Sequence, residues 1–210
     1  MDLKELSLLV QKGNAKKVKE LVTLALKEKI DPEQILNEGL ISAMSEVGNQ
    51  FKNNEIYVPE MLIAARAMNA GMQILEPILT AAGVKAIGKA VIGTVKGDLH
   101  DIGKNLVRMM LKGAGIEVCD LGSDVTPEEF ANKAEEIGAQ IVCLSALLTT
   151  TMPVMKEVID EFTKRGIRDK YIFMIGGAPI TTNFAKQIGA DYYTADAATA
   201  AEVAKSLLVG

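Results

Sequence analysis

The chain has 210 residues, which at roughly 100 to 200 residues per domain makes one large domain or two small ones, and its 49% hydrophobic and 24% charged residues exclude disorder as the main state. The net charge is −4, with 23 basic and 27 acidic residues interleaved, so no basic stripe is available to neutralise phosphates and nucleic acid is excluded as an expected partner. Apolar runs such as Ile141–Leu148 fall far short of the roughly 18 residues of a membrane span, and the acidic start lacks a signal peptide's basic head; no membrane contact and a cytoplasmic location are expected.

Residues 1–84 read as helices. Leu6, Leu9 and Val10, then Val18, Leu21, Val22 and Ala25, recur at three- and four-residue spacing. Asp31-Pro32-Glu33, a cap followed by proline at the first helical position, opens a third helix that stops near Gly48–Asn54. A fourth begins at Val58-Pro59-Glu60 and runs to Pro77 or slightly beyond, and four such helices predict a bundle. Residues 81–88 are small and aperiodic, which reads as a linker and a hinge.

From residue 89 to 210 short apolar runs alternate with amphipathic helices, the pattern of a parallel sheet with crossovers. Strands are expected at 90–94, 116–120, 141–145, 171–175 and 192–194. Helices are expected to start near Ile102, Pro127, Pro153 and Ile180, with a last one over 197–208. The fold class is thus α + α/β, a four-helix bundle ahead of a doubly wound, Rossmann-like domain of flavodoxin type with five parallel strands. Cys119 and Cys143 each lie in a strand-like run, where a free thiol behaves as a small buried hydrophobe.

In an open sheet of this kind ligands bind beyond the carboxyl ends of the strands, where strand order reverses. With the order 2-1-3-4-5, the ends of strands one, three and four share one crevice, and the unusual residues follow those three strands. They are Gly97-Asp98-Leu99-His100-Asp101-Ile102-Gly103 with the only histidine, Ser145 to Thr151 with a run of hydroxyls, and Gly176-Gly177. Each has a bland reading as a solvated histidine, a helix cap or a turn; their coincidence at one edge singles them out. No G-x-G-x-x-G opens the first helix, and no P-loop is present. A lone histidine without C-x-x-C spacing cannot hold a bare metal ion, although one imidazole can fill one axial position of a metal that brings its other ligands.

Asp98-x-His100-x-x-Gly103, Ser145-x-Leu147 and Gly176-Gly177 resemble the cobalamin-binding fingerprint, and 97–105 is similar to the corresponding stretch of methionine synthase. Val47-Gly48-x-x-Phe51, Val58-Pro59-Glu60 and Ala64–Met68 resemble the cap of methyl-transferring corrinoid proteins. The resemblance covers nearly the whole chain and is strongest to the stand-alone corrinoid methyl carriers of anaerobic methyltransferase systems.

That resemblance implies cobalamin or a related corrinoid bound base-off, with His100 as the lower cobalt ligand and Asp98 and Thr151 as a relay behind it. Gly97, Leu99, Asp101, Ile102, Gly103, Ser145, Leu147, Thr149, Gly176 and Gly177 would contact the cofactor, and Phe51, Tyr57, Val58, Met61 and Met68 would cap its upper face. The methionines have an equal claim to be bundle filling. The implied function is to accept a methyl group on Co(I) from methanol, a methylamine or a methoxylated aromatic through one methyltransferase. A second methyltransferase, acting on a thiol or tetrahydrofolate, would take it, and a reductive activator would rescue oxidised cofactor. The chain alone would not be catalytic. The alternative is the cobalamin-binding subunit of an adenosylcobalamin-dependent isomerase, which shares the Asp-x-His-x-x-Gly pattern.

Overall fold

A computed structural model describes residues 2–82 and 85–209, so the expected hinge at 81–88 falls partly on Gly83 and Val84, outside the described residues. The chain divides into two compact units, Met1–Ala86 with Gly113–Gly115, and Ile87–Lys112 with Ile116–Gly210.

The first unit is helical: α1 (Leu3–Gln11), α2 (Ala15–Lys27), α3 (Pro32–Gln34), α4 (Ser42–Lys52) and α5 (Val58–Ala81). Asp2, Asn14 and Asp31 cap the first three, each side chain accepting a main-chain N–H that the helix start leaves unpaired. Leu6, Val10, Val18, Val22, Leu40, Met44, Ala64 and Leu75 are buried at helical spacing, as the periodicity implied. One feature departs from the sequence expectation: α3 and α4 are joined by a π-helical segment, Ile35–Ile41. There the Ser42 N–H donates to the Asn37 carbonyl, five residues back, and the Ser42 hydroxyl donates to the Glu38 carbonyl. Gly39 within it packs so close to α1 that an added Cβ would stand 2.5 Å from Leu6 Cδ2. Apolar spacing does not reveal such a widened turn.

The second unit contains β1 (Lys89–Thr94), α6 (Ile102–Gly113) up to Lys112, β2 (Glu117–Asp120), α7 (Pro127–Ile137), β3 (Ile141–Ser145), α8 (Met152–Lys164), β4 (Ile172–Gly176), α9 (Thr182–Ile188), β5 (Tyr192–Tyr193) and α10 (Ala197–Val209). The strands pair in parallel in the order β2-β1-β3-β4-β5, the doubly wound topology, with the reversal between β1 and β3. Val91, Val142, Leu144, Phe173 and Ile175 face a core completed by Phe130 of α7, Met155, Val158 and Phe162 of α8, and Ile188 of α9. Phe162 sits edge-on to both Tyr171 and Phe173, with ring centroids 5.0 and 4.9 Å apart. Strand residues of the other parity, Ala90, Ile92, Cys143 and Met174, are also buried, so both faces of the sheet are covered.

Helix α7 starts where expected, with a capping box between Thr126 and Glu129, but α9 starts at Thr182 rather than Ile180. The Ile180 N–H closes a turn onto the Gly177 carbonyl, and the Thr181 hydroxyl then caps the helix by accepting from the Phe184 N–H. The last strand is also shorter than expected and omits Thr194. Pairing register sets Thr94, Ser145 and Gly176 in one row across the carboxyl edge, so the loops after β1, β3 and β4 leave the sheet side by side.

Candidate functional site

Asp98 is fully buried, and its carboxylate accepts from five donors. Oδ1 takes the His100 main-chain N–H at 3.1 Å and lies 2.7 Å from His100 Nδ1. Oδ2 takes the N–H groups of Leu147 (2.8 Å) and Leu148 (3.2 Å) and the Thr151 hydroxyl (2.8 Å). Burial alone would raise this carboxyl's pKa; the Leu147 N–H, the His100 ring and main chain and the Thr151 hydroxyl overcome it and hold the pKa well below the usual carboxylate range. An ionised carboxylate only accepts, so the hydrogen between it and His100 sits on Nδ1, and Nε2 is the ring nitrogen whose lone pair a metal would take.

The loop after β1 is short of regular structure and is braced from several sides. Thr94 is buried at the end of β1, and its hydroxyl donates to the His100 carbonyl at 2.8 Å. Asp124, in the loop after β2, accepts the Gly97 N–H on Oδ1 at 2.7 Å. Asp101 directly precedes α6; its carbonyl accepts the Asn105 main-chain N–H and its carboxylate the Asn105 side-chain amide. Thr151 stands at the N-cap position of α8 yet makes no capping bond, because its hydroxyl is turned to Asp98, with the Leu148 carbonyl at 2.9 Å as its other acceptor. Its methyl lies toward Gly97, where an added Cβ would be 3.5 Å from Thr151 Cγ2.

The structure thus brings Asp98, His100, Leu147 and Thr151 into one hydrogen-bonded cluster, to which Gly97 is joined through Asp124. The His100 side chain is 51% exposed. Leu99 and Ile102, on either side of it in the chain, are each 76% exposed, and Leu147 and Leu148 are also exposed. Large apolar side chains left in water beside a ligand-capable nitrogen mark a surface for a partner with apolar area to bury. Gly103 has open space where a Cβ would stand. Ser145 lies half-buried in the row of strand ends, and Thr149 is exposed in the turn before α8. Gly177, at φ +137°, has a stricter role than leaving room for a ligand: a Cβ there would stand 1.9 Å from the Ala146 carbonyl oxygen. Gly176 is less constrained, its nearest contact being the Thr194 carbonyl oxygen at 3.4 Å.

Of the five residues proposed to form a cap, Met61 and Met68 are buried, Phe51 and Val58 are half-buried, and Tyr57 is 67% exposed. Sequence reasoning missed Thr94, Asp124 and the two main-chain donors of the loop after β3. Thr94 reads as an ordinary strand residue; for Asp124 the faint signal is Gly-Ser-Asp one residue beyond a strand, a turn composition.

The donor set fits a corrinoid. Among the described residues no three His, Cys, Asp or Glu side chains gather to hold a bare metal ion, so the imidazole suits a metal already held in a macrocycle. Nδ1 is anchored by a carboxylate, the usual support of a ligating histidine. A concavity of about 560 Å³ at the opposite, amino end of the sheet is a poorer candidate, since Arg168 within it is engaged by the Tyr171 and Gly189 carbonyls and by Asp191. No helix among the described residues is long and apolar enough to cross a membrane.

Residues 88–204 match the family model of the B12 binding domain, and residues 2–76 match a second model of the same description. Dimethylamine corrinoid protein 1 of Methanosarcina mazei is 43% identical over 185 residues, 88% of this chain and 86% of the relative. A corrinoid protein of Desulfitobacterium hafniense is 40% identical over 209 residues, 98% of this chain and 97% of the relative. The crystal structure of the methanol:cobalamin methyltransferase complex of Methanosarcina barkeri superposes with a TM-score of 0.88 at 30% identity, covering 98% of this chain and 78% of that one. A cobalamin-binding protein from Desulfitobacterium hafniense DCB-2 superposes with a TM-score of 0.82 at 29% identity over the full length of both. By sequence over both units, and by a fold whose strand-end loops present a buried acid behind a half-exposed histidine, this chain belongs to the B12-binding corrinoid protein family.

Proposed function

We propose that the chain is a corrinoid-binding methyl carrier in which His100 Nε2 is the lower ligand of cobalt and the corrinoid's own base is displaced. The observation that carries this reading is the 2.7 Å contact between Asp98 Oδ1 and His100 Nδ1, which engages one ring nitrogen and leaves Nε2, on a half-exposed side chain, as the nitrogen open to a metal. When bound, the corrinoid supplies a cobalt centre that takes a methyl group from one partner and yields it to another. The chain's own residues hold and tune that centre. Asp98 raises the basicity of the imidazole by accepting its Nδ1–H, and the Thr151 hydroxyl and the Leu147 and Leu148 N–H groups spread the acid's charge. A proton supplied to this relay would weaken the imidazole's donation, and its removal would strengthen it.

The Ser145 and Thr149 hydroxyls are proposed to receive the nucleotide tail beside Gly176 and Gly177. Gly97, Leu99, Asp101, Ile102, Gly103 and Leu147 are proposed to line the ring's underside. The partners are a donor-specific methyltransferase, an acceptor methyltransferase acting on a thiol or tetrahydrofolate, and a reductive activator. Relatives named for dimethylamine and trimethylamine make methylated amines the first donors to test, with methanol next.

The test is electron paramagnetic resonance of the protein loaded with cobalamin in its Co(II) form. The expected spectrum carries superhyperfine coupling from a histidine nitrogen, lost in His100→Ala. Persistence of that coupling in the variant refutes the assignment. Methyl uptake with isolated partner methyltransferases, one donor at a time, then selects the donor.

A further inference from the structure

We infer that Asp124 is a positioning residue for His100, fixing the loop that presents the imidazole through the main chain of Gly97 and Asp98. The inference rests on the reading of His100 as the cobalt ligand. Asp124 belongs to the loop between β2 and α7 and reaches the loop between β1 and α6 by two reciprocal bonds. Its Oδ1 accepts the Gly97 N–H at 2.7 Å, and its own N–H donates to the Asp98 carbonyl at 3.0 Å. Both partners of the side-chain bond hold left-handed backbone, Asp124 at φ +58° and Gly97 at φ +84°. For a residue other than glycine that conformation costs about 1 kcal/mol, with aspartate among those that tolerate it best.

The surroundings show what the strained residue achieves. Beyond the paired residues of β1 and β2 an irregular ladder continues, the Thr94 N–H donating to Gly122, the Val125 N–H to Thr94, and Val95 bridging to Val125. Asp124 closes that ladder one step further out, over the residues that carry the buried acid and the histidine. The loop is then tied at both ends of the Asp98–His100 segment, by Asp124 at Gly97 and Asp98 and by the Thr94 hydroxyl at the His100 carbonyl. The Asp124 side chain is otherwise exposed, and among the described residues its partner is the Gly97 N–H rather than a cation. A metal ligand held within about half an ångström needs such outer support, and losing it typically weakens binding about 10- to 100-fold.

Three variants separate the side-chain bond from the backbone conformation. Asp124→Gly keeps the left-handed backbone and the N–H to Asp98 but removes the acceptor. Asp124→Asn keeps the acceptor and tolerates the conformation. His100→Ala tests the underlying reading. Each is purified without cofactor, checked for a wild-type urea midpoint, and then titrated with cobalamin.

In the cofactor-free protein, Asp124→Gly is expected to speed amide exchange at Gly97 and to reduce the share of His100 in the Nδ1–H form, read by nitrogen-15 resonance. On loading, its cobalamin Kd rises by about 10-fold and only part of the Co(II) signal shows histidine coupling, whereas Asp124→Asn stays within about threefold of wild type. Wild-type affinity and complete histidine coupling in Asp124→Gly overturn the inference, as does an Asp124→Asn protein as impaired as Asp124→Gly. If His100→Ala retains the coupling, the ligand assignment itself fails and the inference falls with it; if only the Asp124 variants behave as wild type, the assignment stands and the positioning role alone is lost.

Discussion

The loops that leave β1 and β4 stand at the same carboxyl edge but are shaped by opposite means. After β1, side-chain oxygens dictate the backbone: Asp98 gathers donors from residues 49, 50 and 53 positions away, and Thr94 and Asp124 hold the main chain on either side. After β4, the missing side chain dictates it, because Gly177 passes too close to the Ala146 carbonyl for any Cβ. One loop is vulnerable to losing an acceptor and the other to gaining an atom.

The largest effect should come from adding that atom. Gly177→Ala is expected to lower stability by about 3 kcal/mol or more, read as a fall in the urea midpoint, since both the left-handed φ and the clash oppose a methyl group. A variant with an unchanged midpoint would show that the β4 loop relaxes freely, and the contrast between the loops would disappear.

Next comes Asp98→Asn, which replaces one acceptor oxygen with an amide NH2 facing donors. A loss of about 2 to 3 kcal/mol is expected, together with cobalamin binding about 10- to 100-fold weaker. The same pair of proteins sharpens the comparison by pH. Because the folded-state pKa of Asp98 is depressed, its contribution is fully present above the ordinary carboxylate value of about 3.9 and declines as pH falls below it. The gap between the urea midpoints of wild type and Asp98→Asn should therefore narrow steadily as pH falls from about 4 to 2. A constant gap would mean that packing, not charge, holds the loop.

Thr151 should be milder. Thr151→Val leaves the methyl and removes one donor of five, for a loss of about 1 kcal/mol, and Thr151→Ser should restore it. Smallest in the cofactor-free protein is Gly103→Ala. Nothing lies within 4 Å of the added carbon, and alanine favours the first turn of α6, so the midpoint should stay level or rise by about 0.5 to 1 kcal/mol while cobalamin affinity falls. Gly103 would then be a glycine kept for the ligand and Gly177 one kept for the fold.

The amino-acid sequence by itself determined the alternation of strand and helix, because buried parallel strands must be short apolar runs and their crossovers amphipathic. It also singled out His100, Asp98, Ser145 and the paired glycines, because unusual residues after strands one, three and four converge under the doubly wound order. Only the tertiary structure decided what those residues touch. The Asp98 carboxylate is held by main-chain groups, which carry no sequence signature, and Asp124 acts across a loop 27 residues away. The turn of Thr151 toward the acid instead of its own helix is likewise a contact between distant loops, and the π segment at Ile35–Ile41 has no signature in the apolar spacing. Local pattern reports which face of an element is apolar; hydrogen bonds between distant loops depend on how those elements pack, and pattern does not encode that.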